Sequence, residues 1–204
     1  MGRVPTKTEE IWADLLEGNR RFQAGKPAAR ELVSRRAALS QGQNPQVIVL
    51  ACADSRVCPS LLFDKDLGDL FVVRTAGNVA DPVALGSLEF AAEYLHSRVL
   101  VILGHEQCGA VGAAAAGEKP PTPNLESIVA RIRPAFESVK GSPGTGRRLR
   151  LAERANVHLS ADDILRNSPL LRAKVAAGNL TLIKALYRLR TGQVIRLPNE
   201  PRES

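Results

Sequence analysis

Two short segments carry the chain's most chemically capable side chains. Residues 51–57 read Ala-Cys-Ala-Asp-Ser-Arg-Val, and residues 104–109 read Gly-His-Glu-Gln-Cys-Gly. Together they supply two thiols (Cys52, Cys108), an imidazole (His105) and the Asp54–Arg56 pair. Zinc accepts two sulfurs and one nitrogen in tetrahedral geometry, and a catalytic zinc keeps its fourth position for water or substrate. Two thiolates cancel the charge of a dication and weaken it as a Lewis acid, so a water in the fourth position needs help from its neighbours. A carboxylate such as Asp54 can orient that water. Arg56 can hold Asp54 by a charge-assisted hydrogen bond and discourage it from becoming a ligand. Alternation along an extended segment would put Cys52, Asp54 and Arg56 on one side.

Plainer readings stand beside this one. Taken singly, Cys52 and Cys108 read as small buried hydrophobes, and His105 as a core histidine bonded to the backbone. A structural zinc site that includes Asp54 is a further reading, although the close Cys pairs usual in such sites are absent. The spacing alone leaves metal and no metal evenly matched.

What tips the balance is position. Val47-Ile48-Val49-Leu50 precedes the first segment and Val99-Leu100-Val101-Ile102-Leu103 the second. Near-continuous Val/Ile/Leu is the pattern of parallel strands buried on both faces, and ligands of open α/β sheets bind beyond the carboxyl ends of such strands. We place strands at about 46–51, 70–74 and 98–103. A hairpin over 180–189 and 194–197 forms the sheet edge. Thr6 to Glu9 is a capping box that opens a first helix, followed by a second over 31–40. Asp81 caps a helix with Pro82 at its first position, and Leu85, Leu88, Ala92 and Leu95 form its sheet-facing stripe. Further helices are expected over 110–116, from a cap at Asn124 to about 140 with a kink or break at Pro134, over 151–166 and over 169–177. Residues 141–146 are expected to be disordered.

The 204 residues suffice for one sizeable core, read as a single domain with an N-terminal helical arm (1–42) and a catalytic α/β core (43–204). Hydrophobic content of 44% is ordinary for a globular chain. No apolar run reaches the roughly 20 residues of a membrane helix, so no membrane partner is expected. The opening residues lack a signal core, and three cysteines do not make a disulfide framework, so we expect a cytoplasmic protein. The net charge of +7 is dispersed, and its tightest cluster, Arg147-Arg148-Leu149-Arg150, has no aromatic neighbours; nucleic acid is not an expected partner. A basic field of this kind draws in small anions.

The same segments resemble the paired signatures of β-class carbonic anhydrases, of the plant-type, bacterial-like kind. Residues 68–78 (Gly-Asp-Leu-Phe-Val-Val-Arg-Thr-Ala-Gly-Asn) and 86–91 (Gly-Ser-Leu-Glu-Phe-Ala) match that family's pattern in order, and the similarity is strongest over 43–114. The resemblance implies an α/β fold: a central four-stranded parallel sheet with an antiparallel edge strand, flanked by helices. It implies one zinc per chain on Cys52, His105 and Cys108, with Asp54 and Arg56 as a catalytic dyad and water as the fourth ligand. The implied activity is the reversible hydration of carbon dioxide to bicarbonate and a proton. Gln43 would contact substrate across a dimer interface, Phe71, Ala76 and Phe90 would line the carbon dioxide pocket, and Gly109 would offer a backbone N–H near the metal. A homodimer or dimer-based assembly is expected, with the N-terminal helices reaching onto a partner subunit. Cys58 has no metal role. Lys184 stands where the family carries a small residue and Arg188 where an acidic one is common, so a difference in strand seating or at the dimer surface is expected there. Two alternatives stay open: a carbon disulfide or carbonyl sulfide hydrolase on the same scaffold, and an inactive zinc- or bicarbonate-binding protein.

Overall fold

The strands that lead into both segments are wholly buried. In the computed structural model, which describes residues 6–142 and 144–198, β1 (Val47–Cys52) and β3 (Val99–His105) have no exposed residue. They pair in parallel, Val47 beside Val99 and Ala51 beside Leu103. β2 (Leu70–Thr75) flanks β1 in parallel, β4 (Thr181–Tyr187) flanks β3 in parallel, and β5 (Val194–Arg196) closes the edge antiparallel to β4. The order β2-β1-β3-β4-β5 is the expected four-stranded parallel sheet with an antiparallel edge strand. Its order reverses between β1 and β3. That is the switch point at which open α/β sheets make their ligand crevice.

Each sheet face is covered by helices from different parts of the chain. On one face, Ile48, Leu50, Leu100 and Ile102 pack against Leu85, Leu88 and Ala92 of α4, together with Val157, Ile164 and Leu171 from later helices. On the other, Val49, Ala51, Val101 and Leu103 meet Trp12 and Leu15 of α1 and Leu62 of α3. Here α1 is Lys7–Gln23, α2 Leu32–Ala38, α3 Pro59–Leu62 and α4 Pro82–Glu93. At the carboxyl end of the sheet, α5 (Gly109–Ala116), α6 (Pro123–Glu137) and α7 (Thr145–Asn167) gather around Cys52 and Cys108. α8 (Pro169–Ala176) leads back to β4.

Local signals set most helix ends. Thr6 and Glu9 form the reciprocal capping box, and the Asp81 side chain accepts the Ala84 N–H. Three expectations shift. The cap of α6 is Thr122 rather than Asn124, with Pro123 and Asn124 already inside the helix; a proline at the first position has no N–H to lose. Pro134 does not break α6, because it lies in the last turn with little helix beyond it. α7 begins at Thr145 rather than residue 151 and absorbs the basic cluster, since arginine and leucine favour helix. The stretch expected to be disordered includes Pro143, which lies outside the described residues; beside it, the Arg148 guanidinium donates to the Ser142 carbonyl.

The two unusual residues near the sheet edge lie on β4 and just after it. Arg188 staples the β4–β5 turn, its side chain donating to Gln193 Oε1 at 3.0 Å. Lys184 lies on β4, with burial lowering its pKa and Asp162 opposing that shift.

Candidate metal centre

Cys52 is the last residue of β1 and His105 the last of β3, so adjacent parallel strands deliver a sulfur and an imidazole side by side. Cys108 follows across a turn in which Gln107 takes a left-handed backbone (φ 54°). The three donor atoms lie within 4.8 Å of one another, and all three residues are buried. The sulfurs are 4.0 Å apart. His105 Nδ1 is 2.9 Å from the Glu106 carbonyl, which fixes it as the N–H donor and leaves Nε2 as the free lone pair. That Nε2 is buried and has no hydrogen-bond partner among the described residues.

An orphaned imidazole nitrogen beside two buried sulfurs is costly in a bare protein. The charges say the same. The Cys108 S–H stabilises a negative Cys52 and pushes its pKa down, while Cys52 and burial push Cys108 up, so both sulfurs ionise together only with a cation between them. Burial works against a charged His105, but the Cys52 sulfur, the Glu106 carbonyl and the Asp54 carboxylate together more than offset it. This donor set fits a soft divalent metal.

Asp54 stands at the rim. Its carboxylate takes two charge-assisted bonds from Arg56, Nε to Oδ1 at 2.9 Å and an Nη to Oδ2 at 2.7 Å, and a third from the Arg56 backbone N–H at 2.9 Å. The Arg56 side chain, foremost, holds the Asp54 carboxyl well below the usual carboxylate range. Asp54 Oδ2 lies 4.0 Å from His105 Nε2. Strand alternation is not what brings the pair together. The chain leaves β1 and turns at Ser55-Arg56, with the Val57 N–H bonded to the Asp54 carbonyl, and the Asp54 side chain caps that turn as aspartates do. Arg56 also donates to the Gln107 carbonyl at 3.2 Å, tying the first segment to the second.

A family model described as carbonic anhydrase matches residues 47–194. Carbonic anhydrase 2 of Mycobacterium tuberculosis is 37% identical over 194 residues, 93% of each chain. The carbonic anhydrase of Mycolicibacterium smegmatis is 38% identical over 188 residues, 90% of each. Among solved structures, the Coccomyxa β-carbonic anhydrase in complex with acetazolamide superposes with a TM-score of 0.75 at 26% identity, over 90% of this chain and 84% of that one. The β-carbonic anhydrase CafA of Aspergillus fumigatus gives 0.74 at 26% identity, over 95% and 93%. The chain belongs to the β-carbonic anhydrase family. Its reaction is the reversible hydration of carbon dioxide to bicarbonate and a proton.

The remaining expected site residues of this carbonic anhydrase divide into two groups. Gly109 is exposed as the first residue of α5, whose N-cap is Cys108, so the positive end of that helix faces the centre. Ala76 follows β2, next to Gly77, whose N–H donates to Cys52 Sγ at 3.2 Å. Gln43, Phe71 and Phe90 are not brought to the metal ligands within one chain. Gln43 is exposed in the loop that feeds the amino end of β1, while Cys52 ends that strand. Phe71 pairs with Ile48, four residues from the Cys52–Thr75 pair, or about 13 Å at the usual strand rise. Phe71 and Phe90 instead stack 6.3 Å apart at the open edge of the sheet.

Sequence reasoning passed over several residues that build the centre. Arg74 donates to the carbonyls of Cys52 (3.1 Å) and Asp54 (2.6 Å), holding the first segment as it leaves the sheet. Gly77 takes φ 69°, and a Cβ there would sit 2.5 Å from Ile132 Cδ1. Glu153 and Asn156 of α7 also reach the metal loops. A charged residue within an amphipathic helix reads as solvent-facing, so only tertiary contact reveals them.

Proposed function

We propose that Cys52, His105 and Cys108 hold a single zinc ion and that Asp54, steadied by Arg56, is the catalytic residue beside it. The observation that carries this reading is the buried, unpartnered Nε2 of His105 beside the two sulfurs. Two thiolates and one imidazole suit zinc, and Asp54 is already engaged by three bonds from Arg56. When bound, zinc supplies the Lewis acidity that lets water give up a proton near neutral pH.

The chain's own groups do the positioning. Asp54 accepts a hydrogen bond from the attacking water, which turns a lone pair of that water toward the carbon of carbon dioxide. Arg56 keeps the carboxylate ionised and out of the metal's coordination shell. The amino end of α5, with the Gly109 N–H, favours the anionic product over the neutral substrate. Bicarbonate carries away the added oxygen, and the proton lost from water passes to buffer or to a shuttle.

The proposed working form is a pair of chains. One chain keeps Gln43, Phe71 and Phe90 away from its own metal ligands, while Phe90 and Tyr94 stack on an exposed face beside edge strand β2. A second copy on that face supplies Gln43 as a polar contact for bicarbonate and the two phenylalanines as an apolar wall for carbon dioxide. The free thiols at the metal suit a reducing compartment, in keeping with a cytoplasmic enzyme. Among the described residues, no helix is long and apolar enough to cross a membrane.

Elemental analysis joined to stopped-flow carbon dioxide hydration tests the reading. One zinc per chain with rapid hydration is expected, and Cys108→Ser should lose both. A zinc-loaded protein that turns over carbonyl sulfide or carbon disulfide but not carbon dioxide would contradict the assignment.

A further inference from the structure

α7 lays a buried polar ladder along the metal loops. Glu153, Asn156 and Ser160 recur at helical spacing on one face of α7 and are 3%, 2% and 4% exposed. Glu153 Oε1 accepts the Cys108 N–H at 3.2 Å. The Asn156 side chain donates to the Gly77 carbonyl at 2.8 Å, and the Gly77 N–H points at Cys52 Sγ. Ser160 exchanges hydrogen bonds with Asn78, accepting from its Nδ2 and donating to its carbonyl.

These grips fall where the loops are hardest to hold. Gln107 (φ 54°) precedes Cys108, and Asn78 (φ 48°) follows Gly77; both are left-handed without being glycine. Such conformations persist only where the surroundings over-determine them. α7 can reach because it lies tight on β3: a Cβ on Gly104 would meet Val157 Cγ2 at 2.4 Å. One rigid helix therefore reaches both the turn that presents Cys108 and the separate loop whose N–H meets the Cys52 sulfur.

We propose that Glu153, with Asn156 one turn on, is a positioning residue that sets the geometry of the two thiolates for the metal. Glu153 acts through the Cys108 N–H and Asn156 through Gly77. The proposal rests on the zinc reading above. Without Glu153 the Cys108 N–H loses its acceptor in a buried site, and the turn relaxes to find another. Without the Asn156 bond, Gly77 is free to rotate its N–H away from Cys52. Outer partners of this kind typically change metal affinity by about 10–100-fold.

The test measures zinc affinity by chelator competition, and the visible spectrum of the cobalt(II)-substituted protein, for wild type, Glu153→Ala, Glu153→Gln and Asn156→Asp. Glu153→Ala should bind zinc about 10–100-fold more weakly and shift the sulfur-to-cobalt bands. Glu153→Gln, which keeps an acceptor for the Cys108 N–H, should stay close to wild type. Asn156→Asp conserves shape but removes the donor, so it carries the test even where the alanine variant fails to fold; it too should weaken binding and shift the bands. Folded variants with lower melting temperatures but unchanged zinc affinity and cobalt spectra would overturn the proposal. A wild-type protein that binds no zinc would overturn the zinc reading itself, and the positioning role with it.

Discussion

Asp54 is restrained from three directions, and that restraint gives its substitution a distinctive signature. Its carboxylate is fixed by Arg56, its carbonyl by Arg74, and its neighbour Cys52 by the sheet. Asp54→Asn should therefore leave zinc content unchanged while lowering turnover about 10²–10⁴-fold, the usual range for a positioned proton-handling group. Metal analysis beside stopped-flow rates checks this; full activity in a zinc-replete variant would contradict the role. Gly77→Ala probes the same centre from the other side. The added methyl combines a left-handed backbone with a 2.5 Å approach to Ile132, and should cost about 1–3 kcal/mol in thermal unfolding while weakening zinc binding. The donor set could be read from residue types and strand-end positions. Gly77 and Glu153 could not, because their value lies in contacts made by chain far away in sequence.

At the scale of elements, the chain uses one buried carboxylate to dock its first helix. Asp64 accepts bonds from Arg21 (2.6 Å), Arg30 (2.9 Å) and the Ala28 N–H (2.9 Å), pinning the end of α1 and the segment after it to the turn beyond α3. Burial alone would raise the Asp64 pKa, but the Ala28 N–H and the two guanidinium groups together lower it. The unfolded chain then binds a proton at pH values where the folded chain does not, so stability rises with pH. The contribution is fully present above the ordinary carboxylate value of about 4 and is lost as pH falls toward the depressed folded value. Asp64→Asn should cost about 2–4 kcal/mol near neutral pH, with the gap to wild type closing on acidification. Urea unfolding across pH would show it, and a gap that widens in acid would refute the mechanism. The capping box of α1 was legible because it is local. The Asp64 lock was not, since nothing near Asp64 in sequence announces partners more than thirty residues away.

For the whole molecule, the open edge of the sheet is the feature that one chain leaves unfinished. Among the described residues β2 has a free side; Val83 (80% exposed) lies on α4 beside it and Tyr94 (71%) is that helix's C-cap, with Phe90 stacked between Phe71 and Tyr94. The proposed second copy on this face would account for both the apolar surface and the distance of Gln43 and Phe71 from the metal ligands. Phe90→Arg should shift the sedimentation coefficient toward that of a single chain and lower hydration activity while zinc content holds; a variant that stays paired and fully active would argue against pairing through this face. The parallel sheet itself was readable from two unbroken apolar runs and the motifs that end them. The extents of α6 and α7 were less so, because proline and a basic cluster near helix ends give weak local signals.

The account turns on one claim, that residues from two strand ends and one turn share a zinc ion. Zinc K-edge X-ray absorption on the purified protein tests it most directly. We expect two sulfur scatterers at about 2.3 Å and two nitrogen or oxygen scatterers at about 2.0–2.1 Å. A first shell without sulfur would contradict it.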